Sequence, residues 1–201
     1  PFFNPGPIAH PQIPIFVAAV NPYLCTVAGE FCEGMHVHPF NSPKYLREVV
    51  HPAVEEGLRR SGRSRADFTF ATSSFVVVGD TPAERERQAR MVKQQIAFYG
   101  STRTYQPVLA CHGWEEVTTR LHRKSVEGDW SGMADLITDE MLDTYAVTAT
   151  YDTLADRLQE RYDGLLDRTG LYQPYQPGQD DPRLPALIKR MNGEPNQSRA
   201  S

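Results

Sequence analysis

No stretch of this sequence approaches the roughly 20 consecutive apolar residues that a membrane helix needs, and no secretory leader pattern is present. Cysteine is scarce: Cys25, Cys32 and Cys111 are odd in number and lack the CxxC spacing of a zinc or redox site. That predicts reduced, mostly buried thiols and a cytoplasmic setting. No predicted strand is followed by GxGxxG, which weakens a dinucleotide-binding sheet. A basic patch is missing too. The 21 Lys and Arg are interspersed with 25 Asp and Glu, for a net charge of −4, which argues against nucleic acid. Nor does the chain begin with Met. Its opening residues, PFFNPGPIAHPQIP, read as a loop in which Phe2 and Phe3 could wall a pocket, so the N-terminal part of a larger protein is expected to lie outside this sequence.

What is present centres on residues 13–40, IPIFVAAVNPYLCTVAGEFCEGMHVHPF. Residues 13–20 are an apolar, β-branched run, the pattern of a strand buried on both faces. Asn21 follows as an N-cap, with Pro22 at the first helical position, where its missing N–H costs nothing. Leu24, Val27, Ala28 and Phe31 then make one helical stripe, and residues 35–38 read as a second strand. Strand, helix, strand is a βαβ unit, which forces the two strands parallel. The junction Val20-Asn21-Pro22 turns free N–H groups and the positive end of a helix outward, a ready place for an anion. Taken alone, such a turn is more often an ordinary tight connection. His36 and His38 are two apart on a strand and point the same way, with Met35 and Val37 on the other face. Histidines near a strand end are either simply polar or functional, and the spacing leaves both open.

The same device recurs. Ser42-Pro43 opens a helix to about Arg60 that Pro52 should kink or divide. Residues 67–78 form a long third strand in which Ser73-Ser74 marks a possible bulge. Thr81-Pro82-Ala83-Glu84 is a capping box ahead of a charged helix to roughly Tyr99. Residues 101–150 are broken by Gly100, Gly113, Gly128 and Gly132 into short helices, with Tyr105, His112, Trp114 and Trp130 read as packing. Thr150 or Asp152 caps an amphipathic helix, and Leu171-Tyr172 begins one last strand. Residues 173–201 read as a Pro/Gln-rich tail, expected to be mobile apart from a short helix around residues 184–190.

Alternating β and α elements suit either a parallel barrel or an open doubly wound sheet. Four strands with covering helices are half of an eight-stranded barrel, which takes roughly 250 residues when complete. On this pattern the sequence resembles the luciferase-like flavin and deazaflavin oxidoreductases, across nearly all of residues 1–172. The NPY turn, VAGEFCEG and the later TYDTLADRLQERYDGLLDRTG, similar to that family's "GTPEEVAERL" helix, fall in the family's order. HVHPF and SPKYLREVV resemble the branch that uses the deazaflavin coenzyme F420; FMN is the alternative. The resemblance implies strands five to eight of a (β/α)8 TIM barrel, in one domain over residues 1–172, with the helical insertion at about 101–150 ahead of the last strand. It implies that Ala19, Val20 and Asn21 approach the cofactor's phosphate-bearing tail, although the family often has Gly-Gly where this chain has Val20-Asn21. It places His36 and Phe40 in a substrate pocket and His38 near the ring as a proton donor or acceptor. The implied reaction is hydride transfer with a small organic substrate, by a protein that pairs as a homodimer when whole and is inactive as this portion alone. Two rivals remain: a metal-dependent hydrolase built on His36-x-His38, which lacks further ligands at other strand ends, and a barrel that binds without chemistry.

Overall fold

The computed structural model describes residues 6–7, 9–173 and 181–193; Phe2 and Phe3 fall outside them. Five strands make one sheet: β1 (Phe16–Ala19), β2 (Gly34–Val37), β3 (Thr69–Val78), β4 (Ala146–Ala149) and β5 (Arg168–Leu171). All four pairings are parallel: β1 with β2, β2 with β3, and both β4 and β5 with β3. Parallel strands need crossovers, and helices supply them.

The first crossover is α1 (Pro22–Phe31). The second runs through α2 (Pro43–Tyr45), a π-helical turn at Leu46–Val50, and α3 (His51–Arg60). The sequence predicts a disturbance at Pro52, and the wide turn is its form. His51 N–H reaches back to the Leu46 carbonyl, so the turn is widened just before the residue that has no N–H to give. α1 and α3 meet through Gly29 and Gly57. A methyl on Gly29 would run into the Val54 carbonyl and one on Gly57 into the Thr26 carbonyl. Met35, Val37 and Phe70 are buried on the sheet face that these helices cover.

β3 is continuous through Ser73-Ser74, which is where its partner changes. Residues 69–72 pair with β2 and residues 75–78 with β4. After it come α4 (Pro82–Gly100), a 3-10 turn at Arg103–Tyr105, α5 (Gln106–Ala110), α6 (Glu115–Glu127), α7 (Trp130–Ala134) and α8 (Asp139–Tyr145). α9 (Leu154–Tyr162) leads to β5, and α10 (Leu184–Met191) lies against α9.

Three expectations change. Residues 101–150 are not all helical, since β4 closes that stretch on the outer half of β3. The cap of α9 is Thr153 rather than Thr150 or Asp152. β1 is shorter than residues 13–20 and is not buried on both faces. Ile13 and Ile15 are 75% and 60% exposed, and Ala18 is exposed as well, because β1 pairs with β2 alone among the described residues.

Candidate functional site

The site begins where β1 becomes α1. Asn21 has the extended backbone of an N-cap, and its carbonyl accepts the first helical bond, from Cys25 N–H at 3.1 Å. Pro22 has no N–H, and those of Tyr23 and Leu24 lie in the first turn, where no helical carbonyl can reach them. The Asn21 side chain makes no capping bond, and its Oδ1 is buried without a partner. The preceding carbonyl is occupied: Val20 O accepts from the Tyr45 hydroxyl at 3.2 Å and from the Cys25 thiol at 3.8 Å. Burial pushes that thiol up to about 12, so Cys25 packs and does not react.

Because β1 and β2 are parallel, His38 arrives at the same end of the sheet, immediately after β2. It is half-buried, and its Nδ1 accepts the Phe40 N–H at 3.0 Å, which leaves the ring hydrogen on Nε2. Burial also pulls its pKa down to about 4, so the imidazole is neutral at physiological pH. Two tyrosines flank it. Tyr99, from the last turn of α4, meets it edge-on at 4.5 Å between ring centroids, and Tyr105 lies tilted against it at 4.8 Å. The hydroxyls of Tyr99 and Tyr172 share a hydrogen bond of 2.6 Å.

Beside them lies an open pocket of about 250 Å³, lined by Ala18, Ala19, Val20, Asn21, Leu24, His38, Thr104 and Tyr105. It brings Ala19, Val20, Asn21 and His38 together. His36 stands on the same face of the sheet but is exposed beside Phe16, outside the pocket lining. Phe40 is fully buried, packed on Tyr145 at 4.6 Å, and stands behind Tyr105 without reaching the pocket surface. Thr104 and Tyr105 are the residues that sequence reasoning missed. They follow α4 in the insertion, and only the folding back of that helix puts them opposite Asn21. A larger cleft of about 530 Å³ lies between α9, β5 and α10 and contains none of the predicted residues.

The described residues contain no cluster of three or more His, Cys, Asp or Glu able to hold a metal. Three further histidines are engaged elsewhere. His51 bonds the Leu165 carbonyl and stacks on Phe70, His112 bonds Ser42 and stacks on Trp114, and His122 bonds the Ser101 carbonyl. No helix among the described residues is long and apolar enough to cross a membrane.

Residues 1–168 match the family described as luciferase-like monooxygenase. An uncharacterized protein of Mycobacterium tuberculosis is 42% identical over 168 residues, which are 84% of this chain and 49% of that protein. A 5,10-methylenetetrahydromethanopterin reductase of Archaeoglobus fulgidus is 32% identical over 164 residues, covering 79% and 46% of the two chains. Among solved structures, the coenzyme F420-dependent tetrahydromethanopterin reductase of Methanopyrus kandleri superposes with a TM-score of 0.68 at 22% identity, over 88% of this chain and 49% of that one. An F420-dependent secondary alcohol dehydrogenase, in complex with an F420–acetone adduct, superposes with a TM-score of 0.56 at 15% identity, over 80% and 43%. The chain spans about half the length of the relatives it matches.

Proposed function

The chain belongs to the luciferase-like monooxygenase family, and from that premise we propose that its β1–α1 turn holds the anionic tail of coenzyme F420, beside His38, for hydride exchange with a small organic substrate. The observation that carries this reading is the pocket that joins Ala19, Val20 and Asn21 to His38 in a chain whose solved structural neighbours are F420-dependent enzymes. In the same reading β1, β2, β3 and β5 are the last four strands of an eight-stranded barrel.

The residues present suit that group. The first turn of α1 offers N–H donors and the positive end of a helix of ten residues. Asn21 Oδ1, buried without a partner in the protein, is an acceptor and so suits a donor hydroxyl of the tail rather than its phosphate. The lining includes no Lys or Arg, and His38 is neutral. A helix terminus carries roughly half a unit of positive charge, which matches the singly charged phosphodiester of F420 better than the dianionic phosphate of FMN. F420, when bound, supplies the hydride chemistry. This chain binds the tail through the α1 amides, screens the site from water with Leu24 and Tyr105, and presents the Nε2–H of His38 as a hydrogen-bond donor. Since Nδ1 already accepts a backbone N–H, His38 holds its proton and does not shuttle it.

Equilibrium titration with F420, followed by fluorescence, tests the reading. Binding is expected, and Asn21→Asp should weaken it by about tenfold or more, because a carboxylate then faces the anion at a position whose side chain has no capping bond to lose. Equal affinity of the variant, or preference for FMN, sinks the assignment. In the full-length protein, binding with no substrate-dependent loss of the F420 absorbance, across a panel of alcohols, aldehydes and pterins, points to the scaffold reading instead.

A further inference from the structure

We propose that Tyr105, carried by the insertion, is a positioning residue: with Tyr99 it clamps the His38 imidazole so that one hydrogen-bond-donating edge, Nε2–H, is presented to the ligand. The inference deepens the function proposed above and rests on it for the identity of that ligand.

A ring is fixed when each of its faces and edges has a neighbour. On His38, Nδ1 is occupied by Phe40 N–H, and the carbonyl of His38 accepts from the Asn41 carboxamide at 2.7 Å, so the backbone beneath the ring is held as well. Tyr99 meets the imidazole at an interplanar angle of 78° and Tyr105 at 36°. Each tyrosine is itself braced. Tyr99 bonds Tyr172 beyond β5, and Tyr105 packs edge-on against buried Phe40 at 6.3 Å and against Tyr99 at 5.9 Å. Aromatic pairs of this kind favour tilted and edge-to-face arrangements, which restrict rotation about the imidazole axis. The Tyr105 hydroxyl has no hydrogen-bond partner among the described residues, so in this clamp its ring acts and its hydroxyl does not.

The test separates the clamp from the cofactor assignment. Nitrogen-15 spectra of the His38 ring in the ligand-free full chain report the tautomer directly. At neutral pH the wild type should show one tautomer, with the hydrogen on Nε2. A mixture of both in the wild type overturns the clamp, whatever binds. Tyr105→Phe should leave the spectrum as in the wild type, and Tyr105→Leu should introduce exchange between tautomers. An unchanged spectrum in Tyr105→Leu also overturns it. In F420 titrations the Leu variant should bind about three- to tenfold more weakly, the loss of one aromatic pair, and the Phe variant should match the wild type. Equal weakening in the Phe variant would show instead that the hydroxyl touches the ligand, and overturns the ring-only role. A wild type that binds no F420 but shows the single tautomer sinks the cofactor assignment and leaves the clamp standing.

Discussion

His38 shows how much one imidazole can be constrained by its neighbours. Its folded pKa, about 4, lies below the ordinary 6.5, so the unfolded chain takes up a proton between those values and the folded chain does not. The stabilisation is therefore complete above about pH 6.5 and is lost as pH falls towards 4. His51 and His112 are shifted the same way by burial and add to the trend. Denaturant midpoints measured across that range should fall with pH, and His38→Gln should flatten the slope. A slope the same as the wild type's would show that His38 is not the group responsible. Residue by residue, the strand-end pattern made the placement of Ala19, Val20, Asn21 and His38 at one end of the sheet legible, because a parallel βαβ unit brings successive strand ends together. Period-two spacing also gave the correct side for His36, but it carries no information on depth, which is why His36 is exposed and Phe40 is sealed in the core. Thr104 and Tyr105 were not legible at all. Their place opposite Asn21 depends on the path of α4, a tertiary fact with no local signature.

Among elements, the crossing of α1 over α3 sets the tightest demand. The two helices approach at Gly29 and Gly57, where each would-be side chain meets a facing backbone carbonyl. Gly57→Ala should gain a little helix propensity and lose far more to overpacking, a net cost of about 1–3 kcal/mol in chemical denaturation. No change would mean that the helices can separate freely. The start of α4 is held differently. Thr81 Oγ1 accepts the Glu84 N–H at 3.2 Å and the Glu84 carboxylate accepts the Thr81 N–H at 3.0 Å, so Thr81→Ala should cost about 1 kcal/mol. The helix starts at Asn21-Pro22 and Ser42-Pro43 and this capping box were readable, because a helix start is written within a few residues, although Asn21 holds the cap position without a side-chain bond. β4 was not. AVTA is short and follows α8 without a break, and what makes it a strand is the free outer half of β3.

Over the whole molecule, α10 is fastened back onto the turn after β3. Arg183 pairs with Asp80 and Asp181 at 3.0 and 2.9 Å, reaches Glu84 at 3.3 Å, and lies 4.0 Å over the Tyr151 ring. Its guanidinium holds the Asp181 carboxyl well below the usual carboxylate range. Arg183→Ala should raise amide exchange throughout α10 by roughly tenfold, and added salt should do the same to the wild type, while β2 and β3 keep their protection. Slow exchange in α10 of the variant would show that buried Leu187 holds the helix without the charges.

One strand has two jobs, and this has a consequence for how such a protein can diversify. The first part of β3 is committed to β2 and β5, while its last residues serve as the foundation for β4 and the helices that reach His38. Ser73-Ser74 is thus a seam between a half held by β2 and β5 and a half that carries β4. Rebuilding what hangs on the outer half would reshape the Thr104–Tyr105 wall of the pocket, while β1 and the start of α1 keep their place beside β2.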